Sequence, residues 1–589
     1  MGAAWETSRR TALRGGVALA ALAATAGTAF ADPKPAGRRL PFLLDMVQNN
    51  PGEPLFSSRF NDPLTLKSYG YDGQVINEFT PPQTAITFET FDARIFPAGS
   101  PGRAWVEATA KKIDAHIARA HAAGIAAYFF TDIIVLPKRL VELYGDQILD
   151  SQGRISFDRP LTQQIHRLML REICARFPGL DGIVVRTGET YVQNVPFHTG
   201  NNPITNGATS HLTLLGILRD ELCVRAGKRV FYRTWSTGSD KLTSDPDFYR
   251  QVTNQVETHE NLVFSIKHTA KDFWRTIPFN RTIGVGKHRQ IIEVECQREY
   301  EGKGAFPNYV IDGVVNGFEE FRTQPRTGPI GLAEVVDNPI IAGIWTWSRG
   351  GGWRGPYLRN ELWCDLNAWV IARWTRDTGL GEEGAFTEYA TTRLGLRGDQ
   401  IRRFRRLALL SAAAVLRGHY SVVHPMSRLM WTRDQFLGGS DKDLTSDYAA
   451  IVAAGRVEEV LAEKAGAARM WDEIVALSGT IPLRNHADRT YLRVSARYGQ
   501  SWHRVVHHGW QLMLRGYAGG YDKAVLRYHL SRYDAEWQGW QQLANAEPSC
   551  ATLYQPYSFG PKGPDGLYNA DPDHGMKPAT DYYRRLLSS

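Results

Sequence analysis

The chain has 589 residues, 43% of them hydrophobic and 22% charged, which is globular composition and excludes wholesale disorder and coiled coil. At roughly 100–200 residues per domain, that length suggests about three domains or two large ones. Five scattered cysteines (Cys174, Cys223, Cys296, Cys364, Cys550) form neither CxxC pairs nor a disulfide framework, so zinc ribbons and small secreted scaffolds are excluded too. The net charge is +8, with Lys and Arg interspersed among acids, which argues against nucleic acid as the main partner and favours an anionic substrate.

Ser8-Arg9-Arg10-Thr11-Ala12-Leu13-Arg14 follows the form of a twin-arginine export signal. A small-residue apolar run, Val17 to Phe30, comes next, and Ala29-Phe30-Ala31 has the form of a cleavage site. The run is shorter than the ~18 residues a membrane span requires. The expectation is a cleaved leader over 1–31, no membrane attachment afterwards, and a periplasmic or extracellular destination in a bacterium. The leader holds +2 of the +8 (Arg9, Arg10 and Arg14 against Glu6), which leaves +6.

Eight short apolar segments of strand type follow: Leu40–Val47, Gly73–Phe79, Ile125–Thr131, Gly182–Arg186, Val230–Trp235, Leu262–His268, Ile291–Gln297 and Ile341–Trp347. Most are continuous apolar runs, as expected of parallel strands buried on both faces. Helical patterns separate several of them, at Trp105–Ala122, Leu161–Phe177 and Leu212–Ala226. This alternation predicts a (β/α)8 TIM barrel over 32–375 with its chemistry at the C-terminal strand ends. A doubly wound sheet is the competing reading, but no GxGxxG or P-loop supports it. From about residue 376 the patterns are helical (Ile401–Arg417, Ala449–Glu463, Leu492–Arg515, Tyr521–Ala544), which predicts an all-α C-terminal domain over 376–589. Its tryptophans (Trp502, Trp510, Trp537, Trp540) either fill its core or close a homodimer seam.

The strand ends carry charge. Strand four leads through Arg186 to Glu189, and strand five ends near Arg233. Strand six gives Lys267 and then Asp272, and strand seven gives Glu293, Glu295 and Glu299. Strand eight gives Trp345, Trp347 and Arg349 before Gly350-Gly351-Gly352-Trp353. Carboxylates converging on one barrel mouth are what glycosidic hydrolysis needs, one to donate a proton and another to activate water or attack the sugar. Tryptophans there would stack on sugar rings. Alternation along strand seven equally allows Glu293 and Glu295 to sit in a buried ion network. His503 and His507 are an i, i+4 pair, but Arg504, Val505 and Val506 lie between them with no glutamate of a HExxH motif, so neither metal nor cofactor is expected.

The run Lys267-His268-Thr269-Ala270-Lys271-Asp272-Phe273, with Glu293, Glu295 and Glu299-Tyr300-Glu301-Gly302, is similar to a pattern of the α-glucuronidases of glycoside hydrolase family 67. The turn Gly352-Trp353-Arg354-Gly355-Pro356-Tyr357, with Asn367-Ala368-Trp369 and Arg373-Trp374, also resembles that family. The resemblance covers roughly residues 180–375. It implies an inverting, metal-free exo-hydrolase with Glu189 as general acid, and Asp272 and Glu299 holding and activating the attacking water. It also implies a basic pocket for the sugar carboxylate, which Lys267, Arg233 and Arg186 fit, with Glu293, Trp345 and Trp353 as further substrate contacts. The expected partner is thus an acidic carbohydrate ending in α-linked glucuronic or 4-O-methylglucuronic acid. Two alternatives stand beside it. One is a retaining glycosidase with Glu189 as acid/base and Glu299 as nucleophile, and the other is a non-catalytic polysaccharide-binding protein on a hydrolase scaffold.

Overall fold

The computed structural model describes residues 37–236, 241–351, 358–424, 441–546, 558–562, 568–571 and 576–588. The leader over 1–31, Trp353 and most of its turn lie outside the described residues. Eight parallel strands close a barrel: β1 (Phe42–Gln48), β2 (Gly73–Ile76), β3 (Ala126–Asp132), β4 (Gly182–Arg186), β5 (Arg229–Arg233), β6 (Leu262–Lys267), β7 (Arg289–Glu295) and β8 (Ile341–Gly350). They pair in sequence order, and β8 returns to β1 with Leu44 opposite Trp345 and Asp45 opposite Thr346. All eight predicted strands are present, shifted by at most three residues at an end.

Side chains alternate across a strand, so the inner surface is built in layers. Phe42, Leu44, Met46, Val75, Tyr128, Phe130, Val184, Phe231, Val263, Ile291 and Trp345 belong to one buried apolar cluster that plugs the interior. Two residues beyond the plug, on successive strands, come Asp132, Arg186 and Arg233. Further on, Lys267 and Glu295 end β6 and β7. A ring of charge thus stands directly above the plug. The outer faces of the strands join a second, larger core shared with the surrounding helices. One of those helices, Pro101–Ala122, shows how its sequence sets its limits. Ser100 caps it by accepting from the Arg103 amide, Pro101 occupies the first turn, and Val106, Ala110, Ile113, Ile117 and Ala120 form the buried stripe.

Two helical segments differ from expectation. Leu212–Ala226 is an α-helix to Leu218 and then a π-helical turn, Arg219–Arg225, whose Glu221 accepts from Arg171 and Arg167. Ala449–Glu463 is two helices, Asp441–Ala453 and Val457–Thr480. The break is a Schellman motif: Gly455 takes φ +66°, its amide bonds the Val452 carbonyl, and the Arg456 amide bonds that of Ile451.

By its contacts, Gly37–Ser589 forms one compact unit. The helices beyond 380 meet the loops after the later strands. Tyr491 donates to the Gly304 carbonyl at 2.7 Å, Trp363 donates to Ser495 at 3.0 Å, and Phe306 packs among Trp471, Trp502 and His503. Trp502, Trp510 and Trp540 are buried inside this helical region. Among the described residues, no helix is long and apolar enough to cross a membrane.

Two tests follow from barrel closure. A Cβ on Gly182 would stand 2.0 Å from the Arg229 carbonyl oxygen, a backbone atom that cannot yield. Gly182→Ala should therefore lower the melting temperature, with overpacking costing about 1–3 kcal/mol or more; an unchanged melting curve would contradict this packing. The second concerns Asp45, fully buried between β1 and β8, which burial pushes up to about 7 despite hydrogen bonds from Thr346 and Ser348. Its folded state holds the proton more tightly than the unfolded chain does, so stability falls as pH rises from about 4 to about 7. Asp45→Asn should flatten that part of a stability-versus-pH curve.

Candidate active site

The barrel mouth is built from pairs. Arg186 on β4 gives Nε and Nη2 to the two oxygens of Asp132 on β3, at 2.5 and 2.6 Å, with both side chains buried. Arg233 on β5 does the same to Glu293 on β7, at 2.9 and 2.8 Å, and Ser265 on the intervening β6 donates to that carboxylate at 2.8 Å. Lys267 on β6 donates to Asp272 at 2.5 Å. Every predicted cation therefore has a carboxylate partner. Bidentate geometry is what makes burial of two such charges tolerable.

Aromatic faces fill the space between the pairs. The Arg186 guanidinium lies over Phe79, Phe130 and Tyr191, and that of Arg233 over Phe130, Trp345 and Trp347. The Lys267 ammonium lies 3.6 Å from the Trp235 ring centre and 5.2 Å from that of Trp347. Phe130 thus bridges Arg186 to Arg233, and Trp347 bridges Arg233 to Lys267, so the three cations share one continuous floor. Trp345 and Glu293 stand opposite each other in register and, at 1% and 0% exposure, lie beneath the mouth as its support.

Carboxyl groups outnumber cations above this floor. Glu189, one-third exposed on the loop after β4, has an oxygen 3.7 Å from Arg186 Nη1. Across the mouth, Asp272 accepts from Lys267, from the Phe273 amide at 3.0 Å and from the Tyr300 hydroxyl at 2.7 Å. Glu295 and Glu299 both reach Gly351. A Cβ there would lie 3.0 Å from Glu295 Oε1 and 3.2 Å from Glu299 Oε2, and φ +77° favours glycine. Glu295 is the unusual member of the group. Both its oxygens are buried without a well-formed hydrogen bond among the described residues, and only the Glu299 backbone amide acts on them as a donor. Burial pushes its carboxyl well above the usual range, with Glu299 and Asp272 adding to the effect and Arg298 opposing it.

Lys267, Asp272 and Glu299 therefore share a site with Glu295, while Glu189 and Arg186 stand on the β4 side. Arg233, Glu293 and Trp345 lie one layer below, and Trp353 is outside the described residues. Three contributors went unassigned in the sequence. Asp132 directly follows a predicted strand ending at Thr131, so its inward position was legible from alternation alone. Glu295 was visible, but only the fold separates its role from that of Glu293. Tyr300 belongs to the Glu299-Tyr300-Glu301-Gly302 run that resembles family 67, but nothing in the sequence assigns it a partner. Among the described residues, no group of three His, Cys, Asp or Glu is placed to hold a metal ion.

No family profile matches the sequence, and no curated protein does. The chain is similar to solved structures. A GH138 enzyme targeting pectin rhamnogalacturonan II superposes with a TM-score of 0.56 at 11% identity, over 93% of this chain and 67% of that one. A mutant O-GlcNAc hydrolase of Thermobaculum terrenum gives 0.38 at 10% identity over 87% and 95%. The chain thus has a closed eight-stranded TIM-barrel fold, shared with that GH138 enzyme.

The central pair provides a test. Glu293→Gln leaves Arg233 buried without its counter-charge, which should cost about 3–5 kcal/mol. The double variant Arg233→Met/Glu293→Leu should recover much of that loss, read as denaturation midpoints of the three proteins. A single variant as stable as the parent would mean the pair is solvated.

Proposed function

We propose that this chain is an exported glycoside hydrolase that removes a terminal α-linked uronic acid, glucuronic or its 4-O-methyl ether, by an inverting acid/base mechanism. The observation that carries the hydrolase reading is the carboxyl cluster at the ends of β6 and β7. There burial holds the Glu295 carboxyl well above the usual range beside Glu299, while Asp272 accepts from Lys267, the Phe273 amide and the Tyr300 hydroxyl. A glycosidic bond breaks when a carboxylic acid protonates the leaving oxygen while a carboxylate on the other side of the ring activates water. In this reading Glu189 is the proton donor, and Asp272 and Glu299 hold and deprotonate the attacking water. Glu295 stays neutral, which limits the negative charge around that water. Trp235 and Trp347 offer their faces to the sugar.

The uronate part rests on the run from Lys267 to Glu299 that resembles family 67, and on the cations of the mouth. The ion pairs set its terms: a sugar carboxylate has to share Lys267 with Asp272, or approach the Arg186 edge that faces Glu189. A pectin rhamnogalacturonan is the target of the GH138 enzyme with the same fold, so acidic glycans head the substrate panel.

The experiment is proton NMR of oligosaccharides capped by α-linked glucuronic acid during digestion by the mature protein. Release of the β-anomer is expected. Glu189→Gln, Asp272→Asn and Glu299→Gln should each lower kcat by about 10²–10⁴. Glu295→Gln, which copies a neutral acid, should retain most of the activity; its inactivation would make Glu295 a proton donor itself. Release of the α-anomer would convert Glu299 into a nucleophile. Release only from neutral glycans would overturn the uronate, and binding without release would favour a scaffold that no longer cleaves.

A further inference from the structure

The loops that carry Asp272 and Glu299 are held by two further buried carboxylates, Glu301 and Glu320. Glu301 accepts from Arg298 Nε and Nη2 at 3.0 and 2.7 Å, and from the Asn308 amide at 3.1 Å. It also accepts from the backbone amide of Arg275, in the neighbouring loop, at 2.6 Å. Glu320 accepts from Arg275 Nε and Nη2 at 2.8 and 2.7 Å and from the Thr276 amide at 3.2 Å. Arg275 reaches outward as well, donating Nη1 at 3.0 Å to the Ala412 carbonyl on the helix Asp399–His419. The chain runs from the Glu299 loop through Glu301 and Arg275 to the Asp272 loop and on to the C-terminal helices. All four charged groups are buried.

The backbone is strained where this chain grips it. Among the described residues, five non-glycine residues have positive φ, and three of them lie in these two loops: Thr276 at +71°, Arg298 at +60° and Lys303 at +49°. A β-branched residue such as Thr276 is a marked exception in that region. Conformations of this kind persist only where the surroundings over-determine them. Glu320 binds the Thr276 amide and Glu301 binds the Arg298 side chain, so the two carboxylates supply that constraint.

We propose that the Arg298–Glu301–Arg275–Glu320 chain is a positioning device that couples the two carboxylate loops and makes the helix Asp399–His419 part of the catalytic apparatus. The roles of Asp272 and Glu299 rest on the glycosidase reading above, whereas the coupling itself does not. Loosening one loop should loosen the other, although they belong to different βα units.

The test uses the mature full-length protein, its Glu320→Gln variant, and Thr276→Gly, which relieves the strained φ without removing a charge. Hydrogen exchange read by mass spectrometry should rise in both 269–276 and 296–303 in each variant. On the oligosaccharide cleaved by the parent, kcat should fall about tenfold or more while KM stays within about threefold, the mark of displaced chemistry rather than lost binding. Arg298→Lys should give the same signature from the other end of the chain. Faster exchange confined to 269–276, or a lowered melting temperature with kcat unchanged, would overturn the proposal. A parent that cleaves no glycan would overturn the glycosidase reading alone, because the exchange data would still decide the coupling.

Discussion

A guanidinium and a carboxylate sharing two hydrogen bonds at the axis of the barrel, Arg233 with Glu293, are the contact on which the mouth is assembled. Taking two such ions out of water costs several kcal/mol each unless their geometry returns it. Here the return requires strands β5, β6 and β7 in one register, because Ser265 completes the carboxylate's bonding from the strand between them. The pair therefore penalises any slip of these three strands. Asp132 with Arg186 does the same for β3 and β4. A layer of matched charges thus acts as a gauge of strand register, and the groups above it inherit its precision.

That layer also decides what the mouth can offer a ligand. Three cations invite an anion, yet each is already matched, so their charge reaches the surface as paired dipoles above aromatic faces. The carboxyls that stand beside these pairs, Glu189, Glu295 and Glu299, are what give the site its chemical character. Keeping one of these protonated is the cheapest way to hold several acids together in a dry place. Glu295, fully buried with no well-formed hydrogen bond among the described residues, is the member on which that burden falls.

The barrel was legible because continuous apolar runs of four to eight residues, spaced by helical stripes, fit few other architectures. Strand positions then located Glu189, Lys267, Asp272 and Glu299 near the mouth without further help. Pairing was not legible. Nothing local to Arg186 says that Asp132, 54 residues earlier, occupies its Nε and Nη2, and nothing local to Glu293 distinguishes it from Glu295 two residues on. Period-2 alternation puts both inside, and only the partner strands separate a structural ion pair from an unpaired acid. The helix break at Gly455 was missed for a similar reason, since apolar periodicity runs through a Schellman turn almost undisturbed.

The grip of the C-terminal helices on one side of the barrel bears on how such a protein can diverge. The loops after β6 and β7 are fastened to those helices through Ala412, Tyr491 and the aromatic cluster around Phe306. A change there has to be matched by changes in another layer of the molecule. The loops after β2 and β4 bond to each other and to the loop after β1, as Asn194 does with the Glu78 carbonyl and the Gly52 amide. Evolution of ligand preference is therefore least constrained on the β2–β4 side, so lineages of this architecture would be expected to vary in sequence and length there while the opposite wall stays fixed.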